Sequence, residues 1–201
     1  MVKISALRDI CETMKRKTLP GMLVGGLILC AGVAQAQTTV PVQHPLSIKV
    51  GALFPSNSDA THNAGTADIS AGVDYAFGKT TQENPALPSI YADYNGGSHN
   101  GGHVNTYGVG VAVRGYANKP GAANSSGVSP YIGAGVGVYH SDIKNTRPAV
   151  AVSGSTTSVG GKVFAGLEFS QNYFIEANYQ FLPSKVGVNP SGVGLQIGAR
   201  F

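Results

Sequence analysis

Over much of residues 46–201, apolar side chains recur at every second position, and the positions between them are rich in glycine, polar and charged residues. A period of two is the mark of a strand with two unlike faces. It predicts strands over 46–54, 68–78, 89–95, 104–116, 130–140, 161–169, 173–181 and 193–201. No window sustains a helical period. The connectors hold turn formers: Pro55-Ser56-Asn57-Ser58-Asp59, the glycine-rich stretch 96–102, Lys119-Pro120-Gly121, Asn145-Thr146-Arg147-Pro148, Ser170-Gln171-Asn172 and Asn189-Pro190-Ser191-Gly192. Residues 37–45, with Pro41 and Pro45, read as a short extended lead-in.

The apolar face carries, among others, Ile48, Val50, Phe54, Ile69, Val73, Val109, Val111, Ile132, Val136, Val163, Ile175, Leu195 and Ile197, and no charge. The opposite face carries Lys49, Asp74, Asp93, Arg114, Lys162, Glu168, Glu176 and Arg200, which balance as four cations and four anions. A soluble barrel or sandwich would turn the apolar face inward. A membrane barrel would turn it to lipid and keep the polar face inside. Glycine decides between them. Gly51, Gly72, Gly108, Gly110, Gly133, Gly135, Gly137, Gly166, Gly194 and Gly198 share the charged face. On a solvated face they would weaken each strand with no packing reason. In the lumen of an eight-stranded barrel, just wide enough for side chains, they make room for large neighbours. The charges then form an internal ion-pair network, because buried charges must be paired. The strands approach the ~9–11 residues that cross a bilayer obliquely. Phe54, Phe77, Tyr94, Tyr107, Phe169, Tyr173, Phe181 and Phe201 fall toward strand ends, as interfacial girdles require. The expected fold is all-β: an eight-stranded antiparallel up-and-down transmembrane β-barrel over 46–201.

Residues 1–36 read as a secretory signal peptide. Lys15, Arg16 and Lys17 precede an apolar stretch from Leu19 to Val33, and Ala34-Gln35-Ala36 offers the small-x-small cleavage pattern, so cleavage is expected after Ala36. Pro20 and four glycines interrupt that stretch, which argues against a spanning helix. Removing this segment lowers the formal net charge from +4 to +1, since nine basic and eight acidic residues remain. No basic patch is left to suggest nucleic acid. Cys11 and Cys30 both lie in the removed segment, so the exported chain has no thiol, disulfide or cysteine metal site.

The sequence resembles the small eight-stranded bacterial outer-membrane barrels: the OmpA transmembrane domain, OmpX, OmpW and the opacity-type surface proteins. Three stretches carry the resemblance: 130–139 (PYIGAGVGVY), 162–169 (KVFAGLEF) with 173–179 (YFIEANY), and 193–201 (VGLQIGARF). The resemblance implies a bacterial outer-membrane location, partnership with outer-membrane lipid, lipopolysaccharide and the barrel assembly machinery, and Phe201 as the handle that this machinery recognises. It implies a structural or surface-interaction role, with a possible extracellular ligand at the loops. No peptidoglycan-binding domain is expected. With the amino end periplasmic, external loops are expected near 55–67, 96–103, 141–160 and 182–192, the longest being the main contact surface. A narrow pore for small solutes is the first alternative. A lipid A-modifying barrel enzyme is the second.

No catalytic, cofactor or metal residue is expected. Gly133-Ala134-Gly135-Val136-Gly137 brushes a dinucleotide fingerprint, but no helix follows it. His140-Ser141-Asp142 suggests a hydrolase, yet adjacent strand residues point to opposite faces, and the lipid A deacylases among similar barrels place His and Ser two apart. His62, His99, His103 and His140 fall at connectors, where solvated histidines are the simpler reading, since a metal needs three or four converging ligands. Asn124-Ser125-Ser126 fits a glycosylation acceptor that carries little meaning in a bacterial export context.

Overall fold

The computed structural model describes residues 40–41, 44–77, 79–80, 86–117, 128–147, 149–169 and 172–201. The signal segment with Ala36, Cys11 and Cys30, most of the lead-in, Gly78, the Lys119-Pro120-Gly121 turn and the Asn124 acceptor lie outside the described residues. Of the lead-in, Val40–Pro41 pairs antiparallel with Lys79–Thr80.

Eight strands close into one antiparallel barrel: β1 (Leu46–Pro55), β2 (Asp68–Ala76), β3 (Ala86–His99), β4 (Gly102–Tyr116), β5 (Val128–Asn145), β6 (Val152–Phe169), β7 (Tyr173–Phe181) and β8 (Gly192–Arg200). Each strand pairs with its neighbours in sequence, and β8 pairs back onto β1, from Gly192 opposite Pro55 to Arg200 opposite Ser47. Beyond the last strand residue, Phe201 N–H donates to the Leu46 carbonyl at 2.7 Å, and Leu46 N–H donates to the Phe201 carbonyl at 3.1 Å. Closure matters physically because it leaves no row of unpaired backbone groups along the wall.

The wall is apolar outside and polar inside. Ile69, Ile132 and Ile197 are among the most exposed large side chains, whereas Lys49, Arg114 and Glu176 are each 2% exposed. Glycine permits this filling. A Cβ at Gly133 or Gly108 would collide with the rings of Phe164 and Tyr139 respectively.

Three connectors differ from the sequence expectation. The stretch 141–160, expected as the longest loop, is mostly strand: β5 runs on to Asn145 and β6 begins at Val152. The alternation is hard to read there because the outward positions His140, Asp142, Ser153, Ser155 and Thr157 are polar. The β-branched and hydroxyl side chains still fit a paired strand. Likewise 96–103 is the end of a hairpin, turned on Asn100 (φ 50°) and Gly101 (φ 74°). Two successive left-handed residues suit the right-handed twist of the strands, which is why Asn-Gly is favoured there. Finally, 55–67 contains a helix, α1 (Ser58–Ala64), whose N-cap Asn57 accepts from the Asp59 and Ala60 amides.

Candidate functional site

The eight lumenal charges sit at fixed heights along the strands and meet in three groups. The largest joins four strands. Lys49 Nζ on β1 lies 3.1 Å from Asp74 on β2 and 2.9 Å from Glu176 on β7. Arg114 on β4 approaches the same two carboxylates at 3.9 and 3.8 Å. The Tyr131 hydroxyl donates to the second Glu176 oxygen at 3.0 Å. Lys162 on β6 pairs with Asp93 on β3 at 2.7 Å. Arg200 on β8 pairs with Glu168 on β6 at 3.0 Å. The facing pattern alone suggests Asp93 or Glu168 as the partner of Arg114; the structure places Asp74 and Glu176 there instead. Asp93 is opposite Gly108 on β4, whereas Arg114 is opposite Leu87, well down the barrel.

Aromatic rings separate the charged groups. Arg114 lies over Tyr131 at 4.8 Å, and Lys162 lies over Tyr91 at 3.5 Å from the ring centroid. Arg200 faces Phe174 at 5.3 Å. These cation–π contacts suit cations that are 2–4% exposed, because a desolvated cation gains most from a ring face. Tyr91 and Tyr139 share a hydroxyl–hydroxyl bond of 2.9 Å, with the Tyr91 hydroxyl close to the glycine pair Gly110 and Gly137. A chain of neutral bonds adds a further layer. Asn178 donates to Gln196, Gln196 donates to Ser70, Ser70 donates to Asn95, and Asn95 donates to Gln180, at 2.7–3.1 Å. The parity of these neutral residues places them on the charged face of the sequence, yet without charge they carry no signal of their own.

The end of the barrel at Pro55, Asp68, Phe181 and Gly192 is capped by a small apolar core. Ala60 and Ala64 of α1 pack on Val104, Ile143 and Val188. Asn63 fastens the helix. Its amide donates to Asn145 at 3.0 Å, and its oxygen accepts from the Thr146 amide at 2.8 Å and hydroxyl at 3.1 Å. Asn145 in turn donates to the Val186 carbonyl, holding the 182–191 connector across the top. A seven-residue helix whose only apolar pair is two alanines is too short and too weakly patterned to be found by periodicity.

The other chemical candidates are dispersed. His140 faces outward and bonds Thr157 at 3.0 Å, while Ser141 is buried in the lumen beside Thr106. The two side chains occupy opposite faces of β5. Gly133, Gly135 and Gly137 all lie within β5. His103 reaches Asp142 at 3.4 Å on the outer face. Among the described residues, no three His, Cys, Asp or Glu side chains converge as a metal site. Phe201 lies outside the wall, 60% exposed.

No protein-family model matches the chain, and no curated protein matches it. Among solved structures, it is similar to the N-terminal β-barrel domain of Pseudomonas aeruginosa OprF (19% identity, 78% of this chain, 96% of that one, TM-score 0.48). It is similar to Neisserial surface protein A, NspA (16% identity, 77% of this chain, 92% of that one, TM-score 0.48). It is also similar to the Yersinia pestis outer membrane protein Ail (17% identity, 79% of this chain, 100% of that one, TM-score 0.45). By its own strand order, the chain is a closed eight-stranded up-and-down barrel.

Proposed function

We propose that this chain is a bacterial outer-membrane barrel, exported by a signal peptide cleaved after Ala36, whose work is done by the part that stands above the membrane. The observation that carries the reading is the uneven rim. Along one outward column, Val109, Val138 and Val159 pair across β4, β5 and β6, then Tyr107, His140 and Thr157, then Asn105, Asp142 and Ser155. That is the passage from acyl chain through interface to water. Above it, β3 to β6 continue as a raised sheet. β7 pairs with β6 only as far as Phe181 opposite Gly161. The remaining edge of β6, Val152–Val159, has no backbone partner on that side among the described residues. An open edge without proline or charge is a template for an extended segment of another protein.

A filled interior supports surface interaction over conduction. Tyr91, Tyr139, Phe164 and Phe174 occupy the lumen between the ion pairs, and α1 caps one end. Outer-membrane lipid and lipopolysaccharide are the expected surroundings of the apolar wall. The barrel assembly machinery is the expected partner of the β8 end at Phe201.

The test is labelling of intact cells. With Cys11 and Cys30 in the segment removed on export, Ser155→Cys should react with a membrane-impermeant maleimide, in an outer-membrane fraction whose gel migration is heat-modifiable. Labelling only after lysis would place the raised sheet on the wrong side. Single-channel conductance of the purified protein in planar bilayers would replace this reading with the pore.

A further inference from the structure

Beside the cap, and separate from the open β6 edge, lies a cavity of about 540 Å³ that the proposed function does not use. Its walls come from three connectors. Ser58, Thr61 and His62 present one side of α1; His99 and Asn100 come from the β3–β4 turn; and Arg147 comes from the β5–β6 turn. The three are tied to one another. The Asn100 amide donates to the His62 carbonyl at 3.2 Å, and the Thr146 hydroxyl lies 3.1 Å from both the Asn100 carbonyl and the Asn63 oxygen, which share its one proton. Arg147 Nη1 donates to Asp59 at 2.6 Å and to the Ser58 hydroxyl at 3.1 Å. These bonds hold the walls in place before any ligand arrives, which lowers the ordering cost of binding.

The chemistry of the lining is one-sided. Among the described residues, no carboxylate lines the cavity. Asp59, beside the lining residue Ser58, engages Nη1 of Arg147, and among the described residues the other guanidinium donors make no side-chain hydrogen bond. His62 and His99 face the same space, and neither ring makes a hydrogen bond among the described residues. Hydroxyl and amide groups supply the rest. Small-molecule pockets are usually lined by apolar and aromatic side chains with a few polar groups; here most of the lining residues carry a polar group, over a floor completed by Gly65 and Ala67. We propose that the cavity binds an anionic sugar residue. The guanidinium and imidazoles take its carboxylate, sulfate or phosphate, and Ser58, Thr61 and Asn100 take its hydroxyls. Arg supplies a planar fork suited to such oxyanions. The volume admits at least one residue of a glycan.

Saturation-transfer NMR on the full protein in detergent micelles tests this, with glucuronate, glucose 6-sulfate, glucose 6-phosphate and uncharged glucose as probes. The expected result is transfer to one or more of the charged sugars and not to glucose. A response confined to the phosphate ester would point to the bacterium's own lipopolysaccharide core. A response to carboxylate or sulfate would point to a foreign glycan. His99→Ala touches no hydrogen bond of the cap and should weaken the signal. Arg147→Gln should weaken binding by about tenfold or more, the loss of a hydrogen bond to a charged group. Heat-modifiable migration of both variants checks that the barrel is intact. Equal transfer to glucose, no transfer to any probe, or an undiminished signal in both intact variants would overturn the proposal.

Discussion

Replacing Glu176 by Gln isolates the ion-pair network, because the side chain keeps its shape and its acceptor for the Tyr131 hydroxyl. In the native lumen, Lys49 and Arg114 share Asp74 and Glu176, two charges of each sign. After the change, two cations share one carboxylate at a site 2% exposed. At an effective dielectric of about 20, the lost attractions are about 6 kcal/mol for the 2.9 Å contact to Lys49 and about 4 kcal/mol for the 3.8 Å contact to Arg114. Burial of the carboxylate offsets much of this, so the net cost of breaking the pair is ~3–5 kcal/mol. The network reading makes a second demand. Adding Lys49→Met removes the surplus cation and leaves Arg114 with Asp74. The double variant should then be more stable than the two single losses combined by about 2 kcal/mol. Urea unfolding in lipid vesicles, followed by heat-modifiable migration, measures all three. A single-variant loss below about 0.5 kcal/mol, the size of an ordinary surface substitution, would refute the reasoning. So would losses that simply add.

Val136→Arg places a cation on the outer wall in the middle of β5 and should cost ~2–4 kcal/mol in refolding into bilayers; tolerance of the change would mean that this face meets water. Asn63→Ala removes the fastening of α1 to Asn145 and Thr146, and the Thr146 amide should lose its hydrogen-exchange protection while the β1–β8 ladder keeps its own; unchanged protection would show that the apolar contacts of Ala60 and Ala64 suffice. Phe201→Ala should lower the heat-modifiable fraction assembled in cells more than the fraction refolded in detergent, and equal yields by both routes would remove the assembly role.

The barrel was legible in the sequence because an apolar outer wall around a polar interior forces one period on every strand. Parity alone sorts Val109, Val111 and Val113 to the outside and Arg114 to the inside. Parity says nothing of height. Which carboxylate meets Arg114 depends on the stagger of β2, β4 and β7, and that stagger has no local signature. The raised sheet escaped for a related reason: beyond the apolar band of the wall the outward residues turn polar, so Ser153, Ser155 and Thr157 look like loop. The cap and the cavity beside it escaped because they are made where connectors meet. Asn63, Asn145 and Thr146 are unremarkable until the fold brings them together.

The paired lumen has a bearing on how the barrel finds its one alignment. An outer wall of interchangeable valines, isoleucines and leucines is nearly indifferent to a strand sliding by two residues, since such a slide keeps every side chain on its proper face. The interior is not indifferent. Sliding β4 by two residues against its neighbours would carry Arg114 away from Asp74 and Glu176 and move Gly108 off the place it keeps open for the Tyr139 ring. The charges thus act less as a source of stability than as a key. They penalise each misaligned closure and leave one arrangement of eight strands in which every cation meets its anion.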